Sequence, residues 1–136
     1  MIRNLIVLGC TMLLAFGLSL GAFAGSVSDA DGDGVPDEFD NCVDVQNGPL
    51  GGTCAQGDDA DNDGYGNPCD FDYNNNGVVD PVDLGDNVLA QGSGDPVIDT
   101  NCNGVVDPVD LGDQVLAQGS GPGPSGLACA GTVPCP

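Results

Sequence analysis

The sequence predicts a small, loop-rich chain, mostly irregular, with short α-helices and little or no β-sheet. Three observations predict it. Aspartate, asparagine and glycine recur on one twelve-residue grid four times between Asp29 and Asp110. Cysteine is even in number once the N-terminal segment is set aside: Cys42, Cys54, Cys69, Cys102, Cys129 and Cys135. Beyond that segment, helical periodicity is confined to two short runs, each opened by proline and closed by glycine.

The chain opens with a targeting segment, residues 1–24. Arg3 supplies a positive start, Leu5 to Leu20 an apolar stretch, and Ala22-Phe23-Ala24 a small-residue cleavage site. The stretch is short and ends in small residues, which favours cleavage over a membrane anchor. Cys10 has too few apolar residues before it for a lipoprotein site. Sec-type export is expected, to the extracellular space or cell surface, with no membrane association after cleavage. Cleavage removes Arg3, the only basic residue, and leaves all 21 acidic ones, of which Glu38 is the single glutamate. Nucleic acid and anionic membranes are therefore excluded as electrostatic partners. Such charge with few aromatics commonly means disorder. The alternative is that the counter-charge arrives as metal ions. Six cysteines in a small exported chain favour order through disulfides, with the connectivity left open. Zinc is disfavoured, because there is no histidine and no C-x-x-C pair.

Residues 25–71 carry the first two grids. "DADGDGVPDEFD" places Asp29, Asp31, Asp33, the Val35 carbonyl, Asp37 and Asp40 at positions 1, 3, 5, 7, 9 and 12, with Gly34 at position 6. "DADNDGYGNPCD" places Asp59, Asp61, Asp63, the Tyr65 carbonyl, Asn67 and Asp70 likewise, around Gly64. This is the ligand schedule of an EF-hand-like calcium loop, in which oxygens surround a hard cation and the glycine allows a sharp turn. One such loop is often just a solvated turn. Four in one short chain argue for calcium, at about four sites.

Residues 72–121 write the grid twice more, 27 residues apart and identical at 20 of 23 positions. The ligands are Asp72, Asn74, Asn76, the Val78 carbonyl, Asp80 and Asp83, then Asp99, Asn101, Asn103, the Val105 carbonyl, Asp107 and Asp110. Val79 and Val106, at position 8, are expected to bridge from one loop to the other through their backbones. Each loop runs into a short helix, one after Pro81 and one after Pro108. Alone, helices this short are marginal in water. Duplication gives each a partner, with a predicted core of Val79, Leu84, Val88 and Leu89 against Val106, Leu111, Val115 and Leu116. The tail, residues 122–136, has no period and reads as loop, with Cys129 and Cys135 placed for a local disulfide.

The run from Asp29 to Asp70 resembles the thrombospondin type 3 repeat, a calcium-wrapped, disulfide-stapled segment. That resemblance implies a Cys42–Cys69 pair. Cys54, an extra cysteine in the middle, makes Cys42–Cys54 a competitor. The run from Asp72 to Gly121 is similar to the type I dockerin domain, two calcium loops each followed by a helix beginning "DL". That resemblance implies a cohesin-like protein partner, met near Pro81-Val82 and Pro108-Val109. Similar combinations occur in exported bacterial proteins.

An enzyme is not expected. Nearly every aspartate is assigned to a metal grid, and no nucleophile motif and no basic side chain beyond Arg3 is present. The sequence points to a secreted calcium-binding structural or adhesive protein, with a docking module as the alternative.

Overall fold

The computed structural model describes residues 27–55 and 58–136, so the targeting segment at 1–24 lies outside the described residues. Two α-helices, α1 (Pro81–Ala90) and α2 (Pro108–Ala117), and one 3-10 turn at Asp37–Phe39 are the regular elements among these residues. No strand is present among them. The rest is loop, held by three disulfides.

Each helix begins where its loop ends. The Asp80 side chain accepts from the Val82 N–H at 2.7 Å, and Asp83 accepts from the Asp80 N–H at 2.8 Å. Asp107 and Asp110 repeat this reciprocal cap at 2.7 and 2.8 Å. Proline follows at the first helical position, where its missing N–H costs nothing. Thus the position-12 aspartate both accepts from the loop's third residue and completes the reciprocal cap begun at position 9.

That double duty corrects the predicted core. Val79 and Val106 are fully buried, but Leu84 and Leu111 are only half-buried. Val88, Leu89, Val115 and Leu116 are exposed, Leu89 by 86% and Leu116 by 85%. The buried helix face is instead Asp83 with Asn87, and Asp110 with Gln114. The reason is phase. The cap turns position 12 inward, which brings the residue four later inward too. It leaves those five and six later roughly 140° and 120° away from that face on either side. The helices still pack on each other, through a face that is mainly polar.

The expected loop-to-loop bridge is also corrected. Val79 pairs with the segment after α2: its N–H donates to the Ser120 carbonyl at 2.9 Å, and Gly119 N–H donates back at 2.8 Å. Val106 pairs with the segment after α1, through the Ser93 carbonyl and Gly92 N–H, both at 2.8 Å. Gln91 and Gln118 add matching side-chain bonds to the Asp107 and Asp80 carbonyls, each 3.3 Å. Each loop is thus closed by the other copy's helix end, in a pseudo-twofold exchange.

The disulfides join Cys42 to Cys69, Cys54 to Cys102, and Cys129 to Cys135. Cys42 therefore pairs as the thrombospondin resemblance implies, and not with Cys54. The Cys54–Cys102 link ties the upstream segment to the fourth loop. With three disulfides buried or half-buried, the cystines supply much of the apolar interior beside Val35, Val79, Ile98 and Val106.

Candidate metal centres

The four grids share one backbone pattern at positions 4 to 7. In each, the position-6 glycine has a left-handed φ: +93° at Gly34, +91° at Gly64, +90° at Gly77 and +92° at Gly104. Its N–H donates to the position-1 carboxylate, at 3.2 Å to Asp29, 2.9 Å to Asp59, 2.5 Å to Asp72 and 2.6 Å to Asp99. The position-7 N–H donates to the position-5 side chain: Val35 to Asp33 and Tyr65 to Asp63 at 2.8 Å, Val78 to Asn76 at 3.0 Å and Val105 to Asn103 at 2.9 Å. Position 4 is left-handed as well, at Gly32, Asn62, Asn75 and Cys102. Glycine and asparagine tolerate that region, and cysteine does so poorly. At Cys102 the disulfide to Cys54 holds the backbone there.

In the first loop, Asp29, Asp31 and Asp33 each bring a carboxylate oxygen within 4.8 Å of the others. Asp37, at position 9, accepts from the Ala30 N–H at 2.8 Å and so closes the ring of the loop. Asp40 is buried; its Oδ1 accepts from the Cys42 N–H at 2.9 Å. Asp40 Oδ2 and Asp31 Oδ2 are buried with no hydrogen-bond partner. Burial raises the pKa of both groups, and neighbouring carboxylates raise each further: Asp33 and Asp29 beside Asp31, and Asp33, Asp31 and Asp37 beside Asp40.

The second loop gathers Asp59, Asp61 and Asp63 in the same way, and Asn67 replaces the position-9 aspartate by accepting from Ala60 at 2.9 Å. Asp63 is pushed up to about 6 by burial and by the charges of Asp61, Asp59 and Asp72. Asp70, 3% exposed, is pushed up to about 8 by burial first, then by Asp63, Asp61 and Asp72. Asp59 is raised by burial as well. Asp72 opens the third loop, so the second and third loops adjoin, with a cavity of about 320 Å³ between them. Asn75, in the third loop, donates to Asp61 in the second at 2.8 Å.

In the third and fourth loops asparagine stands where the first two carry aspartate, and the amides engage the carboxylates. Asn74 Nδ2 donates to Asp83 at 2.8 Å and Asn76 Nδ2 to Asp80 at 3.4 Å. Asn101 and Asn103 do the same to Asp110 and Asp107, at 2.9 and 3.3 Å. Asp83 and Asp110 are fully buried. In both loops the side chains at positions 3 and 12 thus meet, as do those at positions 5 and 9.

Two features were missed by sequence reasoning. Asn47 is fully buried, its N–H donates to Asp33 Oδ2 at 3.0 Å, and its Oδ1 has no partner. It sits in an aperiodic Asn-Gly turn, and no spacing marked it. The tail is the other: it crosses the first two loops through backbone hydrogen bonds that glycine and proline content could not forecast. Cys54, Asp58 and Cys102 also cluster, but the two sulfurs are bonded to each other.

The donor chemistry fits a hard cation. The ligand atoms gathered in the first two loops are carboxylate oxygens, which suit hard cations rather than soft metals. No lysine, arginine or histidine follows Arg3 to neutralise them. The acidic clusters at Asp29–Asp31–Asp33 and Asp59–Asp61–Asp63 can hold a metal ion. Comparison of the chain with protein-family models, with curated proteins and with solved structures finds no match.

Proposed function

We propose that this is an exported calcium-binding structural or adhesive protein, whose acidic loops fold around about four Ca²⁺ ions. The observation that carries the reading is the pair of buried, unpartnered carboxylate oxygens on Asp31 and Asp40, in a chain with no basic side chain beyond residue 3. A buried carboxylate is costly unless a cation or hydrogen bonds meet it. Here the cation must come from solution. The thrombospondin-like and dockerin-like resemblances support the same ion, and three disulfides support an oxidising, extracytoplasmic setting. Isothermal titration of the oxidised, chelator-stripped protein tests it. About four calcium equivalents are expected, and Asp40→Ala should remove one. Far-UV circular dichroism should show α1 and α2 appearing with calcium in the intact chain and fading in Asp83→Ala and Asp110→Ala. A helical signal unchanged in excess chelator, with no calcium heat, would sink the reading.

A second reading is a docking module for a cohesin-like protein. It is favoured by matched exposed apolar side chains on the two helices: Val82 with Val109, and Leu89 with Leu116. Calcium-dependent capture of an exported host protein, lost only when Val82 and Val109 are both replaced, would select this reading over a purely structural role.

A further inference from the structure

We propose that the C-terminal strap, residues 122–136, couples the first two acidic loops, so that a cation bound in one loop strengthens binding in the other. The inference rests on the cation-binding reading above. The strap crosses both loops through their backbones. On the first loop, Gly126 N–H donates to the Asp40 carbonyl at 2.8 Å, and Val43 N–H donates to the Pro124 carbonyl at 3.0 Å. On the second, Gly123, Gly131 and Cys135 N–H donate to the carbonyls of Cys69, Asp63 and Asn62, at 3.1, 2.8 and 2.7 Å. Four of these five acceptors are grid residues, at positions 12, 11, 5 and 4 of their loops. The strap therefore docks on the wound shape of the loops themselves.

The fit leaves no slack. A Cβ on Gly126 would overlap the Asp37 carbonyl, and one on Gly123 would lie 2.7 Å from the Tyr65 ring. On the loop side, a Cβ on Gly64 would lie 2.6 Å from Cys135 Sγ. A surface this close accepts the wound loop and rejects a loosened one. Without cations the clustered carboxylates of each loop repel, which loosens the loop and releases the strap. Linkage is reciprocal: a strap that prefers cation-filled loops raises their cation affinity by the same factor. None of the strap's hydrogen bonds among the described residues reaches α1 or α2, so the helices lie outside this coupling.

Calcium alone is the probe, added to the oxidised chain carrying Tyr73→Phe. Tyr65 then remains as the single tyrosine, reporting on the second loop. Gly126 touches the first loop at Asp37, Glu38 and Asp40. Even so, Gly126→Val should move the Tyr65 transition to about tenfold higher calcium, and leave the calcium-dependent helix signal in place. A chain ending at Gly121 should show the same shift, which guards against misfolding peculiar to the valine variant. Amide exchange at Gly126 and Gly131 should slow together with the Tyr65 transition. An unshifted transition in both variants overturns the coupling and leaves the cation reading standing. Failure of the intact chain to bind calcium overturns both.

Discussion

Tyr73 in the first copy stands where the second has Thr100, and Asn87 where it has Gln114. The two changes are one adjustment. Asn87 Nδ2 donates to the Tyr73 hydroxyl at 3.3 Å, whereas the Thr100 hydroxyl turns away to Asp110 at 3.0 Å. A long ring meets a short amide in one copy; a short hydroxyl leaves room for a long amide in the other. Gln114 is left without a partner for either amide atom, though fully buried. Gln114→Met should therefore stabilise the protein by about 1–3 kcal/mol, the usual cost of an unsatisfied buried polar group, read as a higher midpoint in calcium-saturated urea unfolding. The carboxylates set the pH response. Asp63 and Asp70 have folded pKa values near 6 and 8, above the ordinary 3.8, so the metal-free fold binds protons that the unfolded chain has lost. Their protons favour folding, so metal-free stability is greatest near pH 4 and falls as pH rises through about 6 and then about 8. In chelator a thermal transition should therefore appear only at acidic pH and be lost as pH rises through about 6 and about 8. With calcium bound these carboxylates stay ionised, so the fall should vanish above about pH 5, and binding at pH 7 should release protons, measurable as a buffer-dependent titration heat.

At the scale of the element, the helices show what a sequence pattern can and cannot carry. Their ends were legible, because the opening proline and the closing glycine each act locally. Their inward face was not. Leu84, Val88 and Leu89 make an apolar stripe, but the stripe is out of phase with Asp83, which the loop turns inward. Where a cap and a stripe compete over ten residues, the cap sets the rotation. The same logic makes Gly85 and Gly112 points of weakness. Both are exposed, in helical backbone, with open space where a side chain would stand. Gly85→Ala and Gly112→Ala should each stabilise their helix by about 1 kcal/mol. In circular dichroism this would appear as a lower calcium concentration for half-maximal helicity, with the final amplitude unchanged.

Across the described residues, long-range links supplement a small apolar interior. The four loop conformations could be read from Asp, Asn and Gly spacing, since each is local. The Cys54–Cys102 bond, the strap and the exchanged helix ends could not, because each joins residues whose nearness exists only in the fold. Cys54–Cys102 spans 48 residues and should contribute about 4 kcal/mol by restricting the unfolded chain. Cys54→Ser with Cys102→Asn, which restores at position 4 the asparagine of the first copy, tests this. Unfolding in calcium should show that loss of stability, with the fourth loop's calcium site retained. The exchange of helix ends reaches further, into how such a protein could arise. Val79 is satisfied by the segment after α2, and Val106 by the one after α1. A half-length ancestor with one loop and one helix would carry both sides of that lock on the same chain, unable to meet each other. It could satisfy them only in a second molecule. Duplication would then have turned a symmetric pair of chains into a single one, free from then on to let Tyr73, Asn75 and Asn87 diverge from Thr100, Cys102 and Gln114.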